Sequence, residues 1–186
     1  MSRTELYRID ALGDVHLEAE FSNAFRGAYL VWQQMCQRYL RQDMIPLFSR
    51  NDDGMQAVWN LWKDQAIPLA HRIVMASTFD NVLVRREEFL RLIEAIEEYA
   101  QVFDPGTLLE QADKLRELAQ GGDTIAVCWN ATSVCANPWW CSGNDEDDEG
   151  RPYNIYQDTG HRFLFDRFDI QSSPQPVAGA AQEERA

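Results

Sequence analysis

The segment from Thr124 to Trp129 has the sequence TIAVCW and predicts the strand around which the rest of the fold is organised. Its β-branched and aromatic residues are typical of a buried strand. Successive side chains of a strand point to opposite faces, so the larger and smaller residues should separate. We expect Ile125, Val127 and Trp129 on one face of the sheet and Ala126 and Cys128 on the other.

A long polar stretch follows this strand, and residues 131–152 have no clean hydrophobic period. Loops of this length inside a compact domain are usually functional or disordered. The stretch contains two adjacent aromatic residues, Trp139 and Trp140, and soon afterwards a run of five acids. The acids are Asp145, Glu146, Asp147, Asp148 and Glu149. We interpret the tryptophans and acids together as a candidate protein-binding surface, in which exposed rings anchor a partner and the acids attract it. The alternative is that both rings fold back onto the sheet and that the acids form a solvated loop.

Strand patterns stand near both ends of the chain. Residues 6–9 and 15–21 read as two strands joined by a short turn, and residues 15–21 alternate apolar and polar side chains, which predicts a β-hairpin. Residues 153–156 and 161–165 resemble two closing strands, and residues 81–84 read as a short extended link.

Helical spacing dominates the sequence between these strands, and the clearest helix carries Phe89, Leu92, Ile93 and Ile96 on its apolar side. Glu94 and Glu98 fall on the opposite side of that helix and join the candidate binding residues. The pattern predicts an α+β fold, in which about four to five helices pack on a small antiparallel sheet made of N- and C-terminal strands. We expect residues 1–170 to form one domain and the Ser-, Pro- and Ala-rich residues 171–186 to form a disordered tail.

The charge of the chain is strongly negative and unevenly spread. The net charge is −13, and residues 104–150 hold ten acids against only Lys114 and Arg116. Binding to phosphate-rich surfaces requires Lys and Arg, so this balance argues against direct contact with nucleic acid or an anionic membrane. It favours a partner protein with a basic surface. No apolar run approaches the roughly 20 residues needed to cross a bilayer, and the first residues do not resemble a signal peptide, so we expect a cytoplasmic location.

Four residues are weak candidates for a zinc site: Cys128, Cys135, Cys141 and His161. Three thiolates and an imidazole can hold zinc, but structural sites usually pair ligands two to four residues apart, and none of these are so paired. The sequence contains no phosphate-binding glycine loop, no nucleophile elbow and no His-Glu-x-x-His motif. We therefore expect neither a metal nor any other cofactor.

These observations favour a non-enzymatic interaction protein or inhibitor that binds a basic, nucleic-acid-binding surface of another protein. A phage or mobile-element inhibitor of a bacterial defence system, such as an anti-CRISPR protein that mimics nucleic acid, fits this composition by analogy. An immunity protein or antitoxin that neutralises a toxin fits the same charge. A small metal-dependent or thiol enzyme is the alternative from a different class.

The composition of the tail leads to a first test. A chain that lacks residues 174–186 should have a free energy of unfolding within about 0.5 kcal/mol of the full chain, because the deleted residues have little apolar surface to bury. Urea unfolding of the two chains measures this difference. A tenfold loss of partner binding on deletion would instead make the tail part of the recognition surface.

Overall fold

The computed structural model describes residues 3–22, 28–43, 53–131, 137–141 and 150–168. The predicted tail, the acidic run from Asp145 to Glu149 and the metal candidate Cys135 lie outside these residues.

The predicted N-terminal hairpin is confirmed. Strand β1 (Arg3–Asp10) pairs antiparallel with β2 (Val15–Ser22). The turn is held by Asp10, whose Oδ1 accepts hydrogen bonds from the backbone N–H groups of Leu12 (2.8 Å) and Asp14 (3.1 Å). Gly13 has φ 87°, and a Cβ atom there would lie 2.6 Å from Cδ2 of Tyr156. Both the backbone conformation and the close packing of the tyrosine ring therefore require glycine at this turn.

In the described ranges, five α-helices form one layer on the sheet. The first, α1 (Ala28–Met35), continues as a π-helical turn from Cys36 to Leu40. The others are α2 (Asp53–Trp59), α3 (Leu69–Ser77), α4 (Phe89–Ala100) and α5 (Leu108–Gln120). The apolar side predicted for α4 is confirmed, since Phe89, Leu92, Ile93 and Ile96 are all at most 3% exposed.

Among the residues that the structure describes, the main sheet has five strands in the order β2-β1-β4-β3-β7. The central strand is β4 (Thr124–Ala131), between β1 and β3 (Val82–Arg85). The edge strand β7 (Arg162–Phe163) runs parallel to β3, and every other pairing is antiparallel. A second sheet pairs β5 (Trp140–Cys141) with β6 (Arg151–Pro152). The α+β prediction is confirmed, but the sheet is mixed and more extensive than predicted, because residues 82–85 form an interior strand.

The two faces of the sheet are covered by two different layers. Val127 and Trp129 face the helices, whereas Ala126 and Cys128 face the C-terminal chain, as the alternation predicted. Ile125 departs from this pattern and packs on the second face, beside an irregularity in the β1–β4 pairing. Such an irregularity shifts side chains relative to the pleat.

Trp139 is the largest side chain of this second layer and is 2% exposed. Its indole N–H donates to the carbonyl oxygen of Trp129 at 2.7 Å, and its ring meets the ring of Tyr153 edge to face, with 5.4 Å between centroids. Asn137 fixes the approach of the chain, because its Oδ1 accepts a hydrogen bond from the Trp139 backbone N–H at 2.9 Å. The ring thus closes the core on the face of the sheet that carries no helix.

Trp139→Ala should lower the free energy of unfolding by about 3–5 kcal/mol, because it leaves a cavity and unpairs a backbone carbonyl. Trp140→Ala is the matched control and should change stability by about 0.5 kcal/mol or less, since the Trp140 side chain is 47% exposed. Urea denaturation of both variants measures the two changes in the free energy of unfolding. Equal losses in the two variants would contradict the assignment of Trp139 to the core.

Candidate functional site

The outer surface of α4 and α5 is the most acidic surface among the described residues. The connection into α4 is fixed by Glu88, whose side chain accepts a hydrogen bond from the Arg85 backbone N–H at 3.0 Å. The apolar side of α4 packs inward, and this orientation leaves Glu94 and Glu98 exposed one turn apart. With the flanking turns, residues 87–123 present nine exposed acids: Glu87, Glu94, Glu97, Glu98, Asp104, Glu110, Asp113, Glu117 and Asp123. We call this set the α4–α5 acidic face.

Basic side chains compensate only part of this face. Arg116 forms ion pairs with Glu97 and with Asp113, and Lys114 pairs with Glu117 at 3.0 Å. Within the described residues, Glu94, Glu98 and Glu110 form no ion pair. Their charge is therefore directed to solvent and is not neutralised by an ion pair with a cation in the described ranges.

Two arginines near the face serve the fold instead. The Arg86 guanidinium donates to the carbonyl oxygens of Ala119 (2.8 Å) and Gly122 (3.2 Å), at and just beyond the C-terminal end of α5. That position favours a cation, because the last carbonyls of a helix carry partial negative charge. The Arg91 guanidinium lies over the ring of Phe165, 5.2 Å from its centroid. The excess of acid on the surface thus follows from the structural use of the arginines.

Exposed apolar side chains accompany the acids. Leu90 is 65% exposed and lies four residues before Glu94 and three after Glu87, whereas Leu109 is 41% exposed beside Glu110. Val102, at the end of α4, is 53% exposed. The combination of leucine side chains and uncompensated carboxylates provides both apolar contact area and long-range attraction, the two components of a protein interface. The sequence did not identify Leu90, Leu109 and Glu110 as binding residues, although helical spacing places Leu90 and Glu110 on the outer sides of their helices.

Of the two adjacent tryptophans, the structure buries Trp139 and leaves Trp140 exposed. Trp139 caps the core, so it is not available as an exposed anchor. It is therefore removed from the candidate binding residues. Trp140 remains an exposed ring, in the layer on the face of the sheet opposite to the helices. The structure therefore separates Trp140 from Glu94 and Glu98. The acidic run from Asp145 to Glu149 cannot be assigned to either surface, because it lies outside the described residues.

The described metal candidates lie on the second face of the sheet. Cys128 is fully buried there, Cys141 packs at the margin of the same cluster, and Nδ1 of His161 is 2.8 Å from the hydroxyl oxygen of Tyr153. Burial raises the pKa of the Cys128 thiol well above its usual value and lowers the pKa of His161. In the part of the chain that the structure describes, no group of three or more His, Cys, Asp or Glu side chains is placed to hold a metal ion.

Neither Cys128 nor Cys141 has the environment of a nucleophilic thiol. Burial, and then the negative charge of Asp158, raises the pKa of the partly exposed Cys141 thiol. A reactive cysteine requires the opposite shift, because the thiolate is the nucleophile. The local environments of Cys128 and Cys141 therefore disfavour a thiolate at neutral pH.

No protein-family model, curated protein or solved structure matches the chain. None of the helices in the described ranges is both long enough and apolar enough to span a membrane.

The thiol environments give a test of the metal and thiol alternatives. In a Cys135→Ser chain, Ellman's reagent should modify Cys141 first, and Cys128 should react only as the fold opens, because a fully buried thiol is inaccessible in the folded state. Addition of EDTA should leave the melting temperature unchanged.

The control for this experiment is the Cys135→Ser/Cys141→Ser chain, which should have no fast-reacting thiol. A fall of several kcal/mol in stability on chelation, as structural zinc sites show, would establish a metal centre.

Proposed function

We propose that this protein is a non-enzymatic interaction protein that acts in the cytoplasm and binds a basic surface of another protein through its α4–α5 acidic face. One observation carries the proposal: Glu94, Glu98 and Glu110 stand uncompensated beside exposed Leu90 and Leu109. Both helices are packed into the main core, so these side chains are held on a rigid support. Such an arrangement costs little conformational entropy on binding.

The two kinds of side chain have separate roles in this proposal. The carboxylates attract a cationic partner over a range of about 8 Å at physiological ionic strength, and they raise the association rate. Leu90 and Leu109 make contact only after docking, and their burial slows dissociation. The net charge of −13 adds to the attraction over the whole surface.

A nucleic-acid-binding protein is the partner class that this surface fits best. Its binding groove carries Lys and Arg that normally neutralise phosphates. Carboxylates one helical turn apart on a rigid helix can occupy the same cationic groups. We infer an inhibitor that excludes nucleic acid from a bacterial defence protein. An immunity protein that neutralises a toxic nuclease is the related alternative.

The proposal is tested with two variants that change the net charge equally. Glu94→Gln/Glu98→Gln removes two acids that form no ion pair, whereas Glu97→Gln/Asp113→Asn removes two acids that share the single positive charge of Arg116. With a partner captured from the native host, the first variant should associate at least about threefold more slowly than the full chain, and its rate should depend less on salt. The control variant should retain most of the wild-type rate.

Two further measurements separate contact from attraction. Leu90→Ser should speed dissociation by roughly tenfold without changing the salt dependence, because it removes an apolar anchor. A double-stranded oligonucleotide should compete with this protein for the partner. Unchanged association of the Glu94/Glu98 variant, or simultaneous binding of the oligonucleotide, would contradict the proposal.

A further inference from the structure

A surface depression lies at the edge of the main sheet that β7 forms, where the chain passes into a 3₁₀ turn from Phe165 to Arg167. Its volume, measured for the centres of water molecules, is about 420 Å³. The described lining residues are His161, Arg162, Phe163, Asp166 and Arg167. Two of them are arginines, in a chain whose net charge is −13.

Asp166, the one acid among these lining residues, is bound by a different cation. Its two carboxylate oxygens accept hydrogen bonds from the Arg85 guanidinium, at 2.8 and 2.9 Å. The Arg85 side chain lowers the pKa of Asp166, so this carboxyl group is ionised at neutral pH. Asp166 therefore serves as the counter-ion of Arg85.

The two arginines of the depression have no such counter-ion. Within the described ranges, neither Arg162 nor Arg167 forms an ion pair. The Arg167 guanidinium lies 5.5 Å from the centroid of the Trp62 ring and 5.7 Å from that of Phe79. These rings attract the cation through their π-electrons and fix its position, but they carry no formal charge to neutralise it.

Arg162 and Arg167 also repel each other. Burial, and then the positive charge of Arg162, lowers the pKa of Arg167. The second effect requires the two charges to be close, because screening weakens the interaction between distant charges. Arg162 is exposed and Arg167 is half-buried. A partly buried cation beside a like charge destabilises the fold, and an anion bound next to both would relieve this cost.

We propose that this depression binds a phosphate group through Arg162 and Arg167. Each guanidinium presents N–H donors in a planar fork that matches the spacing of phosphate oxygens. A phosphate ester carries a charge of about −1.5 to −2 at pH 7, so one group can offset both cations. A carboxylate carries a single charge and can offset only one of them. The volume of about 420 Å³ is ample, since one water needs roughly 10–15 Å³ measured in the same way.

The remaining lining residues favour a phosphate that is carried on an organic group. The rings of His161 and Phe163 meet edge to face, with 5.6 Å between centroids, and they add aromatic surface to the depression. Burial lowers the pKa of His161, so its ring is neutral at neutral pH and does not add to the positive charge. Free phosphate would use the same two arginines. This site does not depend on the partner-binding function proposed for the α4–α5 acidic face.

The probes for the test are phenyl phosphate and inorganic phosphate, and benzoate is the singly charged control. In isothermal titration calorimetry of the full chain at constant ionic strength, phenyl phosphate should bind saturably, and benzoate should bind at least about tenfold more weakly. Weaker binding of inorganic phosphate than of phenyl phosphate would support an ester as the ligand, and equal binding would support the free ion. Absence of saturable binding by both phosphate probes overturns the proposal.

Arg162→Gln separates this site from a general effect of charge. It should weaken binding of phenyl phosphate by about tenfold or more. Its melting temperature without phosphate should be no lower than that of the full chain, because Arg162 is exposed and the change removes its repulsion of Arg167.

Arg38→Gln is the matched control for this variant. Arg38 is exposed, forms no ion pair among the described residues and does not line the depression, and the substitution changes the net charge equally. This control should bind phenyl phosphate as the full chain does. Unchanged binding by Arg162→Gln, or equal weakening in the two variants, would contradict a site at Arg162 and Arg167.

Discussion

Burial of β4 on both faces is the constraint on which the rest of this structure depends. Val127, Ala126 and Cys128 are each at most 2% exposed, so apolar side chains of this strand require cover above and below the sheet. The five helices cover one face. Residues 137–141 and 150–163 cover the other, and within these described ranges the strands are only two residues long. A strand of this kind usually occurs between two regular layers, and here one of the layers is built from turns.

Side-chain hydrogen bonds make that irregular layer possible. Asn154 donates to the carbonyl oxygen of Leu12 at 3.0 Å and to Oδ1 of Asp14 at 2.8 Å, and it thereby joins the C-terminal chain to the β1–β2 turn. Asp158 accepts from the Asn154 backbone N–H and from Arg151, and the bond from Arg151 is the main reason why the pKa of Asp158 falls to about 2. The backbone groups of a layer without long strands must find such partners. The Trp139 ring then supplies the apolar area that the short strands lack.

The sequence predicted the parts of the fold in which a single period persists, namely the β1–β2 hairpin and α4. It did not identify β3, because a strand of four residues with both faces buried shows no alternation. It predicted a strand at residues 153–156, where the structure has the Asn154 bridge and a turn, and a side-chain network of this kind leaves no periodic signal. At the candidate site, Glu94 and Glu98 followed from helical spacing. Trp139 and Trp140 are chemically identical neighbours, so only tertiary packing decides which ring is buried.

The distribution of the arginines explains why a strongly acidic composition becomes an acidic face. The Arg85 guanidinium binds both carboxylate oxygens of Asp166, at 2.8 and 2.9 Å, and lies 3.7 Å from the centroid of the Phe163 ring. Arg86 occupies the C-terminal end of α5, and Arg151 holds Asp158. Each of these cations stabilises a junction between elements, where the planar guanidinium can make several bonds at once. Glu94, Glu98 and Glu110 on the outer turns of α4 and α5 form no such bond among the described residues, so their negative charge does not contribute to the fold through an ion pair. Their position beside exposed leucines is consistent with the binding role proposed for this face.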